Sequence, residues 1–425
     1  MSKSHSAESA SSLSGCTVVL AASGGLDSCT ITRWLSDRGI RVVCCTLDLG
    51  QPDEESFDNI KERLLSAGAA EVHVLPASAE LVSQGLLVLQ AQAWYEGRYW
   101  NTTGIARYVL IEKIAAFMDA HGYTVFSHGA TGRGNDQVRF QLGMNMLRPA
   151  FQVYAPWRDP EFLAQFRGRN EMIDFCQQRG IQITATKSKP YSTDANILGL
   201  THEAGVLEFL DTPPSAIQPV MGVHAEAAPD QAVNCTVVFE QGVPVAVNGE
   251  KGTPLQILTT LNSLGGKHGV GIATHLVENR FVGIKSRGVY EAPGMEVLGT
   301  CYGYLLELVL DRRAREFYDQ VSRQVAKQIY QGYWFDLATT MALGSIKPVA
   351  ALLTGTITVS LYKGRVSYVC ADSVPHSLYN PDDASMEAVG SFDHADSEGL
   401  LRVLGISARA LACAKQVAAS CAARE

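Results

Sequence analysis

The chain has 425 residues, 46% of them apolar and 18% charged, with a formal net charge of -8. That length exceeds one ordinary core, so two domains with appendages are expected, and the acidic balance argues against a nucleic-acid partner. No apolar run approaches the ~20 residues of a membrane span, and ten Cys without a C-x-x-C pair fit a reducing, cytoplasmic compartment better than a disulfide framework or a metal site.

Residues 1–15, rich in Ser and Ala without an apolar or Arg-rich face, read as a disordered tail. A β-branched, apolar run over 17–21 predicts a buried strand. Gly24 and Gly25 then allow a sharp turn, and Asp27 and Ser28 open a helix to about Asp37. A second strand is expected over 40–47, with Cys44 and Cys45 as core residues. Gln51-Pro52-Asp53-Glu54-Glu55 reads as the entry to a helix over 57–67. A strand at 71–75, a helix at 106–121 ended by Gly122 and a strand at 123–127 follow. Asn101-Thr102-Thr103 matches the glycosylation pattern, which carries no weight in a cytosolic chain. Alternation of this kind calls for a parallel sheet with helices on both faces. Its ligands belong at the carboxyl ends of the strands, where 23–28, the loop after Leu47 and the loop after Ser127 should meet.

A helix at 161–178 and a strand near 181–185 close the first unit, expected over 16–186. From 187 to 394 the pattern is α+β, with hairpins around Gln241-Gly242 and Lys363-Gly364 and a long helix over 305–330. Within 395–425 an Ala-rich helix at 407–423 is too weakly apolar to fold alone and is expected to dock on another subunit. The fold class is therefore α/β: a parallel-sheet domain, an α+β domain and a C-terminal oligomerisation helix.

The loop Ser23-Gly24-Gly25-Leu26-Asp27-Ser28 leaves unpaired N–H groups at a helix start, with two serine hydroxyls beside them. No Lys follows, so it is not the G-x-x-x-x-G-K-[ST] loop, and the G-x-G-x-x-G spacing is absent. Donors without a lysine suit a pyrophosphate that must leave; an ordinary glycine-bearing turn is the bland alternative. The six residues resemble the S-G-G-x-D-S signature of the ATP pyrophosphatases, or PP-loop enzymes.

A second dense motif runs from Ser127 through Gly129, Thr131, Gly132, Arg133, Gly134, Asn135 and Asp136 to Arg139 and Phe140. Its glycines permit close backbone approach. Arg139 could fork a carboxylate and Asp136 hold an ammonium, a combination that suits an amino acid. A polar loop with a capped helix would look similar. Tyr191-Ser192-Thr193-Asp194, Thr201-His202-Glu203 and Val277-Glu278-Asn279-Arg280 with Lys285-Ser286-Arg287-Gly288-Val289-Tyr290 are further polar clusters, each modest alone.

Together with Leu49-Gly50-Gln51-Pro52-Asp53-Glu54-Glu55, Asn101-Thr102-Thr103 and Phe239-Glu240-Gln241-Gly242, these segments resemble the argininosuccinate synthetase family, in its bacterial branch, from about Val18 to at least Val369. The resemblance implies a cytoplasmic homotetramer of arginine biosynthesis that ligates L-citrulline and L-aspartate. ATP would be split to AMP and pyrophosphate through a citrullyl-AMP, with Mg²⁺ accompanying the nucleotide and no dedicated metal site. It implies an ATP site of Ala21, Ala22, Ser23, Gly24, Gly25, Leu26, Asp27, Ser28, Cys29, Thr46, Gly129, Thr131 and Asp194. Thr131, Asn135 and Asp136 would bind aspartate. Tyr99, Asn135, Arg139, Ser192, Thr201, Glu203, Glu278 and Tyr290 would bind citrulline, with Thr103 in the same substrate site. Ser23, Asp27, Ser28 and Asp194 would carry the chemistry.

Departures stand at Cys29, where a hydroxyl is usual, at Arg133 for Lys, at Gly104, and in 272–277, which is one residue longer. They leave open a paralogue that adenylates a different ureido or amino acid substrate. A nucleotide-binding regulator without a reaction is the reading from another class, and a tRNA-thiolating relative is disfavoured by the acidic balance and the lack of paired Cys.

Overall fold

Six short strands, β1 (Ser6–Ala7), β2 (Thr17–Ala21), β3 (Arg41–Asp48), β4 (Glu71–Pro76), β5 (Val125–His128) and β6 (Gln152–Tyr154), make one sheet in the order β1-β6-β5-β2-β3-β4. Every pairing in it is parallel. The computed structural model describes residues 6–7, 9–54, 56–183, 190–387, 390 and 393–417. Strand side chains alternate between faces. Val18, Leu20, Val42 and Cys44 pack against α1 (Leu26–Ser36), α2 (Phe57–Ser66), α6 (Pro160–Gln165) and α7 (Arg169–Gln178). Val19, Val43 and Cys45 face the opposite way, toward α3 (Ser78–Gln90), α4 (Thr102–His121) and α5 (Asp136–Leu147). Both faces are thus covered, which is why these strands are apolar throughout rather than alternating.

The second core does not stop at this sheet. It runs on through Ile105 and Tyr108 of α4 to Leu258 of α8 (Pro254–Lys267) and Leu298 of α9 (Pro293–Val309). From there it reaches the inner face of an antiparallel sheet ordered β11-β10-β9-β14-β15. Its strands are β9 (Val233–Glu240), β10 (Val243–Val247), β11 (Glu250–Lys251), β14 (Gly355–Tyr362) and β15 (Arg365–Asp372). A third sheet, β12-β13-β8-β7, comprises β7 (Ser192–Asn196), β8 (Gly199–Glu203), β12 (Thr274–Asn279) and β13 (Lys285–Glu291). Its β7–β8 turn meets the carboxyl end of the parallel sheet just past β3, where Ile197 N–H donates to Leu49 C=O at 2.9 Å. Helices α10 (Arg312–Gln331) and α11 (Leu337–Ala350) complete this unit, which spans residues 1–376.

Residues 377–425 form a separate unit, with α12 (Pro381–Ala384) and α13 (His394–Cys413). The expected helix at 407–423 therefore begins earlier, and 418–423 lie outside the described residues. No described residue of α13 is buried, and Leu400, Leu401, Val403, Leu404 and Leu411 are exposed on it.

Several expectations are corrected. The 1–15 tail carries β1 and a 3-10 turn over Ala10–Leu13, anchored by Ala10 N–H donating to the Asp159 carboxylate (2.9 Å) and by Leu13 in the core. The 51–54 run is a turn before α2, not its first turn; Ser56 stands at the N-cap, and Glu55 lies outside the described residues. The helix expected at 161–178 is two, broken where Gly168 is extended. The helix expected at 305–330 is likewise α9 and α10, because Leu310 is extended and Asp311 caps α10 by accepting from Ala314 N–H at 2.8 Å. No strand forms at 181–183; 184–185 lie outside the described residues.

Candidate functional site

Strand β2 is central, and the chain leaves it toward β3 on one side and returns to β5 on the other, so the β2–β5 boundary is the switch point. At its carboxyl end Ala22 N–H donates to Cys45 C=O (3.0 Å) and Thr46 Oγ1 donates to Ala22 C=O (2.6 Å), which fixes the exit from Ala21. Gly24 then takes a φ of +70°, open to glycine but strained for other residues. Ser23 N–H donates to Ser28 Oγ at 3.0 Å, closing the turn on itself. The first bond of α1 is Cys29 N–H to Gly25 C=O, so Leu26, Asp27 and Ser28 are the N–H groups left without an intrahelical acceptor. This geometry can receive an anion.

The Cys29 departure does not strip that face of a donor. Its side chain is fully buried in the core, its Sγ lies 3.6 Å from Gly24 C=O, and burial pushes the thiol up to about 12. Asp27 accepts from Trp157 Nε1 (3.0 Å), and burial raises its carboxyl above the ordinary value despite that bond.

The loop after β5 comes against this one: a Cβ on Gly129 would lie 3.3 Å from Asp27 Cβ. His128 is buried, stacks on Phe140 and is held neutral by burial, down to about 3. Thr131 is exposed at the loop's outer edge. Behind it, Arg107 of α4 donates from Nε to Asp136 (2.9 Å) and from Nη2 to Asp194 of β7. Arg139 donates from Nη1 to Asp136 (2.8 Å) and from Nε and Nη2 to Tyr330 C=O (3.2 and 2.9 Å). Burial opposes ionisation of Asp136, but the two guanidiniums override it and hold its carboxyl low. In Asp194 burial wins over Arg107, and the carboxyl is raised.

The β12-β13-β8-β7 sheet forms the far wall. Thr103 Oγ1 and Thr201 Oγ1 share a hydrogen bond of 2.9 Å, and Thr103 N–H donates to Tyr99 Oη at 2.9 Å. Ser192 and Glu203 sit opposite each other in register. Glu203 is half exposed in a cleft; partial burial there, then Asp136 and other carboxylates nearby, raise it to about 7, with Arg280 (3.9 Å) pulling the other way. Glu278 is buried, and its two oxygens accept from Tyr290 Oη and Tyr330 Oη. Burial raises it, moderated by Tyr330 and Arg139. Two stacked pairs, Tyr95 on Tyr330 (3.5 Å) and Tyr99 on Tyr290 (4.1 Å), box it in.

The sequence-predicted residues from Ala21 to Ser28 with Thr46 and Gly129 thus meet at the carboxyl end of β2, whereas Cys29 belongs to the core. Tyr99, Thr103, Asp136, Arg139, Asp194, Thr201, Glu278 and Tyr290 are joined, through Arg107 and Tyr330, by hydrogen bonds, ion pairs, ring stacking and strand register, with Asn135 next to Asp136 and Ser192 opposite Glu203. Two expectations change. Arg139 and Asp136 pair with each other, so neither stands ready as a free fork or a free carboxylate. Asn135 Oδ1 accepts from Phe281 N–H at 2.9 Å. Sequence reasoning missed Arg107, whose partners lie 29 and 87 positions away, and Tyr330, 52 positions from Glu278; neither lies in a motif. Asn101 is fully buried, donating to Ala93 and Ala326 carbonyls, so its glycosylation pattern is inert.

A parallel sheet with an anion-receiving Ser–Gly loop at its switch point defines a nucleotide-site class of α/β protein. Comparison carries the assignment from class to family. Residues 17–182 match the family model described as the arginosuccinate synthase N-terminal HUP domain, and 191–411 match that of the C-terminal domain. The chain is 40% identical to the argininosuccinate synthase of Thermotoga sp. (strain RQ2) over 392 residues, 91% of this chain and 95% of that protein. It is 40% identical over 395 residues to that of Rhodopirellula baltica, covering 92% of this chain and 96% of that protein. To that of Desulfitobacterium hafniense (strain DSM 10664 / DCB-2) it is 38% identical over 391 residues, at 92% and 96% coverage. The chain belongs to the argininosuccinate synthase family.

Proposed function

We propose that the chain ligates L-citrulline to L-aspartate at the expense of ATP, giving argininosuccinate, AMP and pyrophosphate in arginine biosynthesis. The observation that carries this reading is the contact of the lysine-free loop, through Gly129 on Asp27, with a cleft of opposed carboxylates and guanidiniums. A ureido carbon is a poor electrophile, because nitrogen lone pairs feed it. Activation requires its oxygen to attack the α-phosphate, with pyrophosphate leaving into the Ser23–Ser28 loop; the aspartate amine then displaces AMP. The residues bind, orient and stabilise charge rather than form a covalent bond to substrate. Ser23, Ser28 and the α1 N–H groups would hold phosphate oxygens, with Asp27 and Asp194 at the rim. Thr131, Asn135 and Asp136 would hold aspartate. Glu203, Glu278 and Tyr290 would hold the acceptor, with Arg139 fixing that end of the cleft through Asp136.

The loop's donors are hydroxyl and N–H groups, and its one carboxylate is engaged by Trp157. Such a set fits Mg²⁺ carried on nucleotide phosphates, where it would neutralise charge, rather than a cation caged by protein. Nucleotide binding by 16–186, amino-acid binding by 187–394, a homotetramer joined through the C-terminal helix and a cytoplasmic location belong to the same proposal. Among the described residues no helix is long and apolar enough to cross a membrane.

Pyrophosphate release is the test: it should require ATP, citrulline and aspartate together. Release with another ureide but not citrulline would establish the second reading, a paralogue with a different acceptor. Gly104 favours testing it, since a Cβ there would lie 3.5 Å from Arg139 Cζ and 3.2 Å from Ile329 Cγ2, so the missing side chain alters packing beside the cleft.

A further inference from the structure

The loop Ser23–Ser28 contains no cation, yet departure of pyrophosphate concentrates negative charge on it. Helix α2 brings a cation from outside the motif. A Cβ built on Gly24 would meet Ile60 Cγ2 at 2.8 Å and Arg63 Nη2 at 3.3 Å, so the Nη edge of Arg63 stands against the loop's glycine. Arg63 is half-buried, and its Nε is shut off from solvent with no hydrogen-bond partner. Among the described residues no carboxylate pairs with it. Arg33, Arg41 and Arg107 of the same domain, by contrast, are paired with carboxylates: Arg33 with Asp37 (2.7 Å), Arg41 with Glu71, and Arg107 with Asp136 (2.9 Å) and Asp194. A partly desolvated guanidinium without an anion is costly unless an anion joins it.

We propose that Arg63 receives the departing pyrophosphate. The inference rests on the ligase reading above. In that step the acceptor's ureido oxygen bonds to the α-phosphorus, the bond from that phosphorus to the α–β bridging oxygen breaks, and its electron pair leaves on the pyrophosphate. Arg63 stays protonated and donates from its Nη atoms to the terminal phosphate oxygens as their charge grows. A guanidinium offers two parallel donors to a phosphate, which an ammonium does not. The bare Gly24 lets loop and guanidinium meet at one phosphate.

The test compares the full-length wild type with Arg63→Gln, Arg63→Met and Arg63→Lys. Inhibition by inorganic pyrophosphate and pyrophosphate–ATP exchange should weaken about tenfold or more in the two neutral variants, with part of the loss restored in Arg63→Lys. KM values for citrulline and aspartate should stay put. Arg63→Met keeps the stem's packing and decides the matter if Arg63→Gln does not fold. An unchanged pyrophosphate inhibition constant in a folded neutral variant would overturn the proposal. So would an equal rise in all three substrate KM values with a lowered Tm, which marks a packing role. If the wild type releases no pyrophosphate with citrulline and aspartate, the ligase reading fails; direct titration of inorganic pyrophosphate into wild type and Arg63→Met still decides Arg63.

Discussion

Glu203 and Gly24 show how single positions set the behaviour of this cleft. Burial and the neighbouring carboxylates raise the Glu203 carboxyl to about 7, so it gains a proton as pH falls through neutrality. If its charge holds the acceptor, kcat/KM for citrulline will drop by about tenfold per pH unit below that point. Glu203→Gln should lower kcat/KM at pH 8 and abolish this acid limb; a limb that survives the substitution would assign it to another group. At Gly24 the +70° φ and the 2.8 Å approach of Ile60 Cγ2 both oppose a side chain. Gly24→Ala should cost about 1–2 kcal/mol of stability and raise the KM for ATP, read by urea unfolding and steady-state assay. The turn made by the serines and glycines of this loop was legible in the sequence because its geometry is local. Arg139 was misjudged because a guanidinium and an aspartate three residues apart on a helix also satisfy each other, as they do at 2.8 Å here.

Among the elements, α10 has the least expected role. Its Tyr330 donates to Glu278 through the phenol, accepts from Arg139 through its carbonyl and stacks on Tyr95. Tyr330→Phe keeps the stack and the carbonyl but leaves a Glu278 oxygen without its donor in a buried site. It should cost about 2 kcal/mol, raising the citrulline KM roughly tenfold to thirtyfold while the ATP KM holds. An unchanged citrulline KM would make this contact irrelevant to binding. Strands β2 and β3 were readable because burial on both faces demands unbroken apolar, β-branched runs. Helix α3 was not, since Gly85 weakens its helical signal and its surfaces serve more than one neighbour; Leu198 from the β7–β8 turn packs where a Gly85 Cβ would be, 2.6 Å away. The helix break at Leu310 escaped periodicity because Leu310, Ala314 and Phe317 keep helical spacing across it, and the Asp311 cap was the usable clue; at Gly168 the polar run Arg167-Gly168-Arg169-Asn170-Glu171 was the clue.

At the scale of the whole molecule, α13 carries an apolar stripe, Leu400, Leu404 and Leu411 with Val403, that stays exposed within its own unit. Such a stripe needs a surface to cover it. Deleting residues 394–425 should lower the assembly state seen by light scattering. An unchanged mass would remove this helix from the proposed tetramer contact. Alternation made the parallel sheet and the antiparallel hairpins legible, but not how they are joined, because a shared core depends on contacts that sequence spacing does not record.

That shared core has a practical side. Val19 and Phe126 of the parallel sheet and Val237 and Val359 of the antiparallel one belong to a single apolar cluster. A gene shortened to end at residue 182 would encode a polypeptide whose α3–α4 side faces water with the packing partners of α8 and α9 missing. Such a fragment should accumulate in inclusion bodies. Heating the intact 1–376 body should give one calorimetric peak rather than two, because the core on the α3–α4 face is built from both halves and neither keeps it when the other melts.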